Sequence, residues 1–514
     1  SMTSDIVRKV AKNESVMGLN SVQVVMGMYF FPENWQRVPM IKVSNEEIRK
    51  VLGVNNKNAS YVDFFNMTSK GEYKLAGNVQ KAYQKKPGLR TKFDQEVMKV
   101  DERVNVCYMV YSGSLLRIFP VKNDPNQKWY SPNDAGQMLS SEDSLFVSGV
   151  LSLYRNSLMA EENTYNLSEI VNGIKKFQEL NAGEIYPSRT KTSFEIFYNK
   201  AHIFDKLAKY YGIIGFILLL LLLASVLSEK EGINKIIRIA TLFLIFGFIL
   251  HTFGLGVRWY VSEHAPWSNG YESMIYIAWA AMLTGLIFVR KSAFTLVAAS
   301  LLAALTLMVA HMSWMNPEIT NLVPVLKSYW LTIHVSVITA SYGFLGTGMV
   351  LGLFNLLLYI LKTEKNQAKL QKQIEILTDI NEMSLILGVY FLSVGTFLGG
   401  VWANESWGRY WGWDPKETWA LITALVYIFI IHMKYVPGIK SHFAFNLASV
   451  VGFFSVLMTY FGVNYYLAGL HSYAQGEAVP IPKFVYYTIA SLVLLILFAW
   501  FNEKTFRRKT FMVE

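Results

Sequence analysis

The residues best suited to chemistry lie in one short stretch, WGRYWGWDPKETWALI, at positions 407–422. Four of the chain's 13 tryptophans and four charged residues fall in it: Trp407, Trp411, Trp413, Trp419, Arg409, Asp414, Lys416 and Glu417. Tryptophans are typical of an interfacial aromatic belt, because indole favours the headgroup region of a membrane. Indole faces separated by small glycines also form a flat platform for a large planar ring, and Lys416 is placed to pair with a carboxylate on that ring. A belt does not require charges at fixed spacing, which favours the platform.

Two histidines supply the iron ligands that a porphyrin platform needs. Histidine is the usual axial ligand of heme iron. His334 lies in SYWLTIHV and His471 in NYYLAGLHSY. A single histidine near a membrane surface is usually a plain hydrogen-bonding residue. The topology argued below puts both histidines on the face of the tryptophan stretch, and this indicates bis-imidazole ligation.

His432 belongs to a different place. It lies 18 residues beyond Asp414, roughly 27 Å along a helix, near the opposite end of one apolar segment. An ionisable residue at that depth is functional by default, so His432 is a candidate for an inner site. Within this chain the available mates for His432 are His251 and His442. His202 is interpreted as structural, and His264 and His311 receive no assignment.

The stretch RWYVSEHAPWSNGYES, residues 258–273, combines polar and aromatic residues. Arg258, His264, Asn269 and Glu272 lie among its aromatic side chains. The stretch either forms part of the platform's wall or caps the helices beside it. The residues favour neither interpretation.

These residues need a scaffold, and the composition predicts a membrane bundle. Of the 514 residues, 52% are apolar and only 17% are charged, whereas a soluble chain carries about 25% charge. Apolar segments long enough for about 30 Å of hydrocarbon number nine and run at about 210–228, 239–257, 274–289, 292–312, 335–361, 383–402, 419–433, 443–463 and 484–501.

The connections between these segments alternate in basic content. One set carries about three times as many lysines and arginines as the other, and the positive-inside rule puts the richer set in the cytoplasm together with the C-terminus. The tryptophan stretch, His334 and His471 then lie on the outer face. The net charge of +11 therefore reflects topology in a lipid membrane, and no nucleic-acid partner is expected.

Residues 1–205 are predicted to form an α+β domain on the same outer face, ahead of a mainly α, polytopic bundle over residues 206–514. Alternating or apolar stretches at 21–31 and 103–121 predict strands, the second folded at a turn at positions 112–113. No catalytic motif is found here, so the domain is interpreted as a docking or scaffold unit.

Two helices are also predicted in this first domain. Ser44 and Glu47 predict a capping box that opens a helix ending at Gly53. Residues 167–180 are predicted to be helical, with a stop at 181–183. The single cysteine, Cys107, excludes an intrachain disulfide and any cysteine metal cluster built by this chain alone.

The beginning of the sequence raises a further expectation. A domain of this size on the outer face must be exported, yet the first 30 residues contain no secretory apolar region. We expect the sequence to be the C-terminal part of a longer polypeptide, or to work beside a separate membrane partner.

The tryptophan stretch, preceded by GGVWANES, resembles the WWD signature of the CcsA (ResC) family, the heme-handling half of system II cytochrome c synthases. The resemblance extends to HAPWSNGYES, WLTIHV and GLHSYA and covers about residues 205–500. Residues 1–200 resemble the extracytoplasmic domain between the halves of fused CcsBA-type proteins. The PKETW ending is specific, because CcmC- and CcmF-type proteins share the WGxxWxWD core but differ after it.

The resemblance implies that heme b crosses a bacterial inner membrane and rests on the WWD loop, residues 402–419, on the periplasmic side. By matching motif it implies His334 and His471 as axial ligands and His432 as the inner-site histidine. The CxxCH thiols of an apocytochrome c then add to the heme vinyl groups. The family's second inner histidine lies on a ResB (CcsB) half, which is expected as a fused or separate partner.

Two functions follow from these expectations. The leading hypothesis is a cytochrome c heme lyase (synthase), which acts mainly by positioning its substrates; no general base is assigned. The alternative is a heme exporter or chaperone that presents heme while a partner performs the ligation. A solute transporter is disfavoured, because its usual internal repeats and broken helices are not evident in the sequence.

Overall fold

The computed structural model divides the chain into two compact units, Ser1–Thr190 and Lys191–Glu514. The description of both units covers residues 2–13, 15–66, 71–85, 90–122, 124, 128–139, 141–159, 166–227, 233–312, 315, 317–319, 322, 327–467, 481 and 483–511.

The first unit is mainly helical. Its helices are α1 (Met2–Ala11), α2 (Ser21–Phe30), α3 (Pro32–Trp35), α4 (Glu46–Leu52), α5 (Ala76–Gln84), α6 (Lys92–Tyr111), α7 (Pro132–Met138), α8 (Ser141–Met159) and α9 (Leu167–Ala182). The strands form two-residue antiparallel pairs: Ser15–Val16 with Leu19–Asn20, Ile41–Lys42 with Asn58–Ala59, and Phe119–Pro120 with Trp129–Tyr130.

The strand predictions for residues 21–31 and 103–121 are largely wrong. Helix α2 occupies the first stretch and the end of α6 lies in the second, where only Phe119–Pro120 is a strand. Both helices open with a capping box, from Asn20 and from Thr91. The valines of α6 are buried at helical spacing, so burial of one helix face prevails over the β preference of valine, which is a weak prior.

The two helix predictions in this unit fare better. Helix α4 ends at Gly53, whose φ of 77° is left-handed, as predicted. Its cap is Asn45, whose side chain accepts from the backbone N–H of Glu47 at 2.8 Å, so the predicted Ser44 cap is wrong by one residue. Helix α9 is confirmed, and Gly183 follows it.

The second unit is a helix bundle. Its helices are α10 (Arg189–Ala201), α11 (Ile203–Leu227), α12 (Ile233–Ser262), α13 (Gly270–Phe288), α14 (Ala293–Ala310), α15 (Tyr329–Leu361), α16 (Gln367–Trp407), α17 (Pro415–His432), α18 (His442–Leu457), α19 (Val463–Tyr466) and α20 (Lys483–Phe511). A π-helical turn, Met458–Gly462, joins α18 to α19.

Nine helices of the described chain are long and apolar enough to cross a membrane, which confirms the nine predicted segments. The protein is therefore a polytopic membrane protein. Helix α16 has 41 residues, about 60 Å at the usual rise, or twice the thickness of the hydrocarbon. Hydropathy detects only its apolar part, which is why the predicted segment was shorter.

Candidate functional site

The tryptophan stretch connects two long helices. Helix α16 ends at Trp407, and Gly408 follows in the left-handed conformation with φ of 70°, which stops the helix. Helix α17 begins at Pro415. We call residues 408–414 the tryptophan loop. The loop has seven residues, and its two ends are held by the helices α16 and α17.

The charged residues after the loop form the start of α17. Asp414 is the N-cap, and its carboxylate accepts from the backbone N–H of Lys416 at 3.1 Å. Glu417 Oε2 accepts from the backbone N–H of Asp414 at 3.2 Å and from that of Gly412 at 2.7 Å. This is a capping box with proline at the first helical position. The fixed spacing of Asp414 and Glu417 thus has a structural reason that the sequence analysis missed.

The two basic side chains of the stretch are held by protein partners. Lys416 Nζ donates to Asn464 Oδ1 on α19 at 3.0 Å. Arg409 lies 3.6 Å from Glu417 Oε1, and its guanidinium carbon is 5.7 Å from the centre of the Trp407 ring. Both cations therefore stay beside the loop, where a carboxylate on a bound ring would meet them.

The indoles are arranged edge to face. Trp411 and Trp413 lie 5.8 Å apart with their planes at 90°, and Trp407 meets the buried Trp402 at 4.8 Å and 64°. Trp413 has a φ of 58° and is 70% exposed, while Trp419 is half-buried on α17. The rings are thus not one coplanar sheet. Trp413 is the indole whose surface is most open.

His334 lies in the second turn of α15 and is half-buried. Its Nδ1 is 2.6 Å from the backbone carbonyl oxygen of Gly395 on α16. A carbonyl only accepts, so Nδ1 carries the proton, and in the neutral ring Nε2 carries the lone pair. This is the tautomer in which histidine ligates a metal, and a hydrogen bond from the other ring nitrogen is the usual device that fixes it.

Three stretches that are distant in sequence meet around His334. The Trp267 indole N–H donates to the carbonyl of Thr332 at 2.9 Å, half a turn before His334. The Ser328 hydroxyl, at the start of α15, donates to Glu405 near the end of α16 at 2.8 Å. The structure therefore brings the stretch at 258–273, the start of α15 and the end of α16 together. His471 falls outside the described residues.

The stretch at 258–273 caps a helix and also contacts α15. Asn269 is the N-cap of α13, accepting from the Glu272 N–H at 2.8 Å. Glu272 pairs with Arg258 at 2.9 Å, and neither side chain is exposed. Arg258 also donates to the hydroxyl of Tyr198 at 2.9 Å. Helix capping is thus one role, and the Trp267 bond adds a contact with the helix of His334.

His432 is far from these groups. It is the last residue of α17, is exposed, and has Nδ1 2.7 Å from the carbonyl oxygen of Ile428. The 18 residues of α17 separate it from the loop by roughly 27 Å. One heme therefore cannot contact both places.

Most of the other histidines have partners unrelated to the loop. His251 is fully buried between the Tyr211 hydroxyl, at 3.4 Å, and the Ile275 carbonyl, at 3.0 Å. His202 and His311 both contact Asp205. The ring of His264 lies 3.2 Å from the Ala265 carbonyl, and His442 opens α18. In the described part of the chain, no group of three or more His, Cys, Asp or Glu residues is arranged to hold a metal ion.

Comparison with known proteins shows the family of the chain. Residues 267–471 match the cytochrome c assembly protein family. The cytochrome c biogenesis protein CcsA of Pyropia yezoensis is 32% identical over 301 residues, which cover 50% of this chain and 94% of that protein. The chain belongs to this CcsA-type cytochrome c assembly family. The matched range extends from Trp267 to His471 and includes the tryptophan loop.

Two further relatives show how much of the chain is shared. The CcsA protein of Prochlorococcus marinus is 36% identical over 253 residues, covering 44% of this chain and 81% of that protein. Protein NrfI of Wolinella succinogenes is 44% identical over 483 residues, covering 93% of this chain. Because 93% of this chain is matched, the likeness includes residues outside the CcsA-type region. The chain spans 53% of NrfI, about half its length.

Proposed function

We propose that this chain is the heme-handling part of a cytochrome c synthase. It carries heme b to the outer face of a bacterial inner membrane and holds it while the CxxCH thiols of apocytochrome c add to the vinyl groups. The observation that carries the proposal is the 2.6 Å contact between His334 Nδ1 and the Gly395 carbonyl, which fixes the orientation of the imidazole ring on α16, the helix that leads into the tryptophan loop of a CcsA-type chain.

The residues divide the task by position. His334 and, from its matching motif, His471 ligate the iron. Trp407, Trp411, Trp413 and Trp419 surround the ring, and the ammonium of Lys416 pairs with a propionate beside the Asp414 cap. Each thiol sulfur forms a bond to one vinyl carbon and the thiol proton passes to the other, so no oxidant is consumed. The chain contributes proximity and orientation.

His432 belongs to an earlier step in this proposal. It ends α17 with an exposed ring whose Nδ1 bonds to Ile428, leaving Nε2 as the ligating atom. An exposed position fits a ligand shared with another segment, and we assign that role to a ResB-like half, fused or separate. The tryptophan loop and residues 1–205 then lie in the periplasm, and residues 206–514 carry heme across the membrane.

The test of the activity is formation of a thioether product. The full chain, purified with and without a co-expressed ResB-like half, is supplied with heme and an apocytochrome carrying one CxxCH motif. Denaturing electrophoresis with heme staining, followed by mass spectrometry, detects covalent heme. We expect covalent heme product from the unsubstituted chain and none from the His334→Ala variant.

The competing function is presentation of heme to a partner that performs the ligation. The exposed ring of His432 favours a shared inner site and so gives this alternative support. A chain whose outer site is loaded with heme and that yields covalent product only after the partner half is added establishes it. A chain that binds no heme in either preparation contradicts both functions.

A further inference from the structure

We infer that Gly399 and Gly400 are positioning residues that set the separation between His334 and the tryptophan loop. The inference rests on the proposed heme site. It adds the residues of α16 that fix the position of His334 relative to the tryptophan loop. The pair lies within α16, ahead of the tryptophan loop. Gly399 contacts the His334 ring, and Gly400 contacts the backbone of Tyr410.

The His334 ring packs directly against the backbone of Gly399. A β-carbon at Gly399 would lie 2.5 Å from Cε1 and 2.8 Å from Nδ1 of His334. The ring cannot turn aside without breaking the bond from Nδ1 to Gly395, one turn earlier on the same helix. Two residues of α16 therefore position the imidazole: the Gly395 carbonyl accepts its hydrogen bond, and Gly399 leaves the space that the ring occupies.

The tryptophan loop packs directly against Gly400 through the backbone of Tyr410. A β-carbon there would lie 3.0 Å from the backbone carbonyl oxygen of Tyr410. This neighbour is backbone, so no rotamer change relieves the contact. Successive residues of a helix point about 100° apart, so the two glycines present two adjacent bare faces, one to the axial ligand and one to the loop.

Close packing of helices alone accounts for some glycines of α16 and must be separated from this role. Small residues let helices approach in membranes, and Gly388 is such a case. A β-carbon at Gly388 would lie 2.5 Å from the Leu345 side chain on α15, the same clearance as at Gly399. Gly388 touches no group of the site, so Gly388→Ala is a matched packing control.

A metal ligand must be held within about 0.5 Å of its working position, so a shifted imidazole no longer reaches the iron. We expect Gly399→Ala to change the absorption spectrum as His334→Ala does and to weaken heme retention roughly tenfold. Added imidazole should restore part of the spectrum. Gly400→Ala should lower heme content, and added imidazole should not restore it, because His334 keeps its position in that variant.

The experiment measures heme per protein, the absorption spectrum and the imidazole response of the full chain for each variant. A double variant isolates the contact: in a His334→Ala background the ring is gone, so Gly399→Ala should add no further loss. This background also keeps the test decisive if Gly399→Ala alone accumulates poorly.

The outcomes separate the inference from the function it rests on. If His334→Ala leaves heme and spectrum unchanged, the proposed heme site is wrong. If His334→Ala alters them and Gly399→Ala does not, the positioning role is overturned. It is equally overturned if Gly388→Ala produces the same spectral shift, or if the losses from His334→Ala and Gly399→Ala add in the double variant.

Discussion

At the scale of single residues, the same amino acid does different work according to its exposure. Trp402 is 1% exposed and packs within the bundle, whereas Trp413, in the loop, is 70% exposed. An exposed indole with strained backbone has little packing to lose. The proposed function accounts for its place by a ligand that covers it.

This difference predicts opposite results for two alanine substitutions. Trp413→Ala should accumulate normally in the membrane and bind less heme. Trp402→Ala should lose about 3–5 kcal/mol of packing and accumulate poorly. Membrane abundance and heme content of the two variants provide the measurement. Normal heme in Trp413→Ala at full abundance would favour an aromatic belt.

The His334 ring gives a second prediction at this scale. We expect His334→Ala to lower b-type heme and shift the absorption spectrum, with partial recovery by free imidazole, which occupies the vacated position. His202→Ala is the control, since that histidine contacts Asp205 and lies outside the proposed site. Equal heme in the two variants would remove His334 from the site.

At the scale of elements, Asp414 can act as a cap or as a ligand contact, and the two roles respond differently to substitution. Asparagine is as good an N-cap as aspartate, whereas alanine costs about 1 kcal/mol. We therefore expect Asp414→Asn to retain heme and Asp414→Ala to lose it, through fraying of α17 and movement of the loop. Thermal unfolding and heme content report the two effects. Loss of heme in both variants at unchanged stability would show that the charge itself is needed.

The elements also show what could be predicted from the sequence. The long apolar runs that became α11–α18 and α20 were predictable, because burial in hydrocarbon requires length and continuous apolarity. Helices α2 and α6 were missed, because β-branched residues alone do not distinguish a strand from a buried helix. The capping box at Asp414 was readable from its spacing and was interpreted as ligand chemistry instead.

The site itself was predictable only in part. The family motifs predicted His334 and the tryptophans as site residues, which stays a prediction. The contacts of His334 with the Gly395 carbonyl and Gly399, and of Lys416 with Asn464, depend on tertiary packing between distant helices. No local pattern specifies which carbonyl a histidine will meet. Adjacent glycines within a long helix were the visible signal, since each costs about 1 kcal/mol relative to alanine.

At the scale of the whole molecule, the length of α17 separates two histidine sites. The loop at its start and His432 at its end are roughly 27 Å apart, so heme must move between them if both take part. The order of use follows from the proposed topology, in which His432 lies at the cytoplasmic end and His334 at the outer end. Loss of the first site should then starve the second, and loss of the second should spare the first.

The decisive comparison is heme content in His432→Ala and His334→Ala proteins at matched expression. His432→Ala should contain less total heme, because its outer site is intact but poorly supplied, and the heme that remains should keep the outer-site spectrum. His334→Ala should lose the heme of the outer site and keep that of the inner site, so the spectrum of its remaining heme should differ from that of His432→Ala. His202→Ala is the control, because that exposed histidine contacts Asp205 and belongs to neither proposed heme site. Equal occupancy and identical spectra in the first two variants would leave a single outer site, since a two-site route requires that each histidine hold a distinct population of heme.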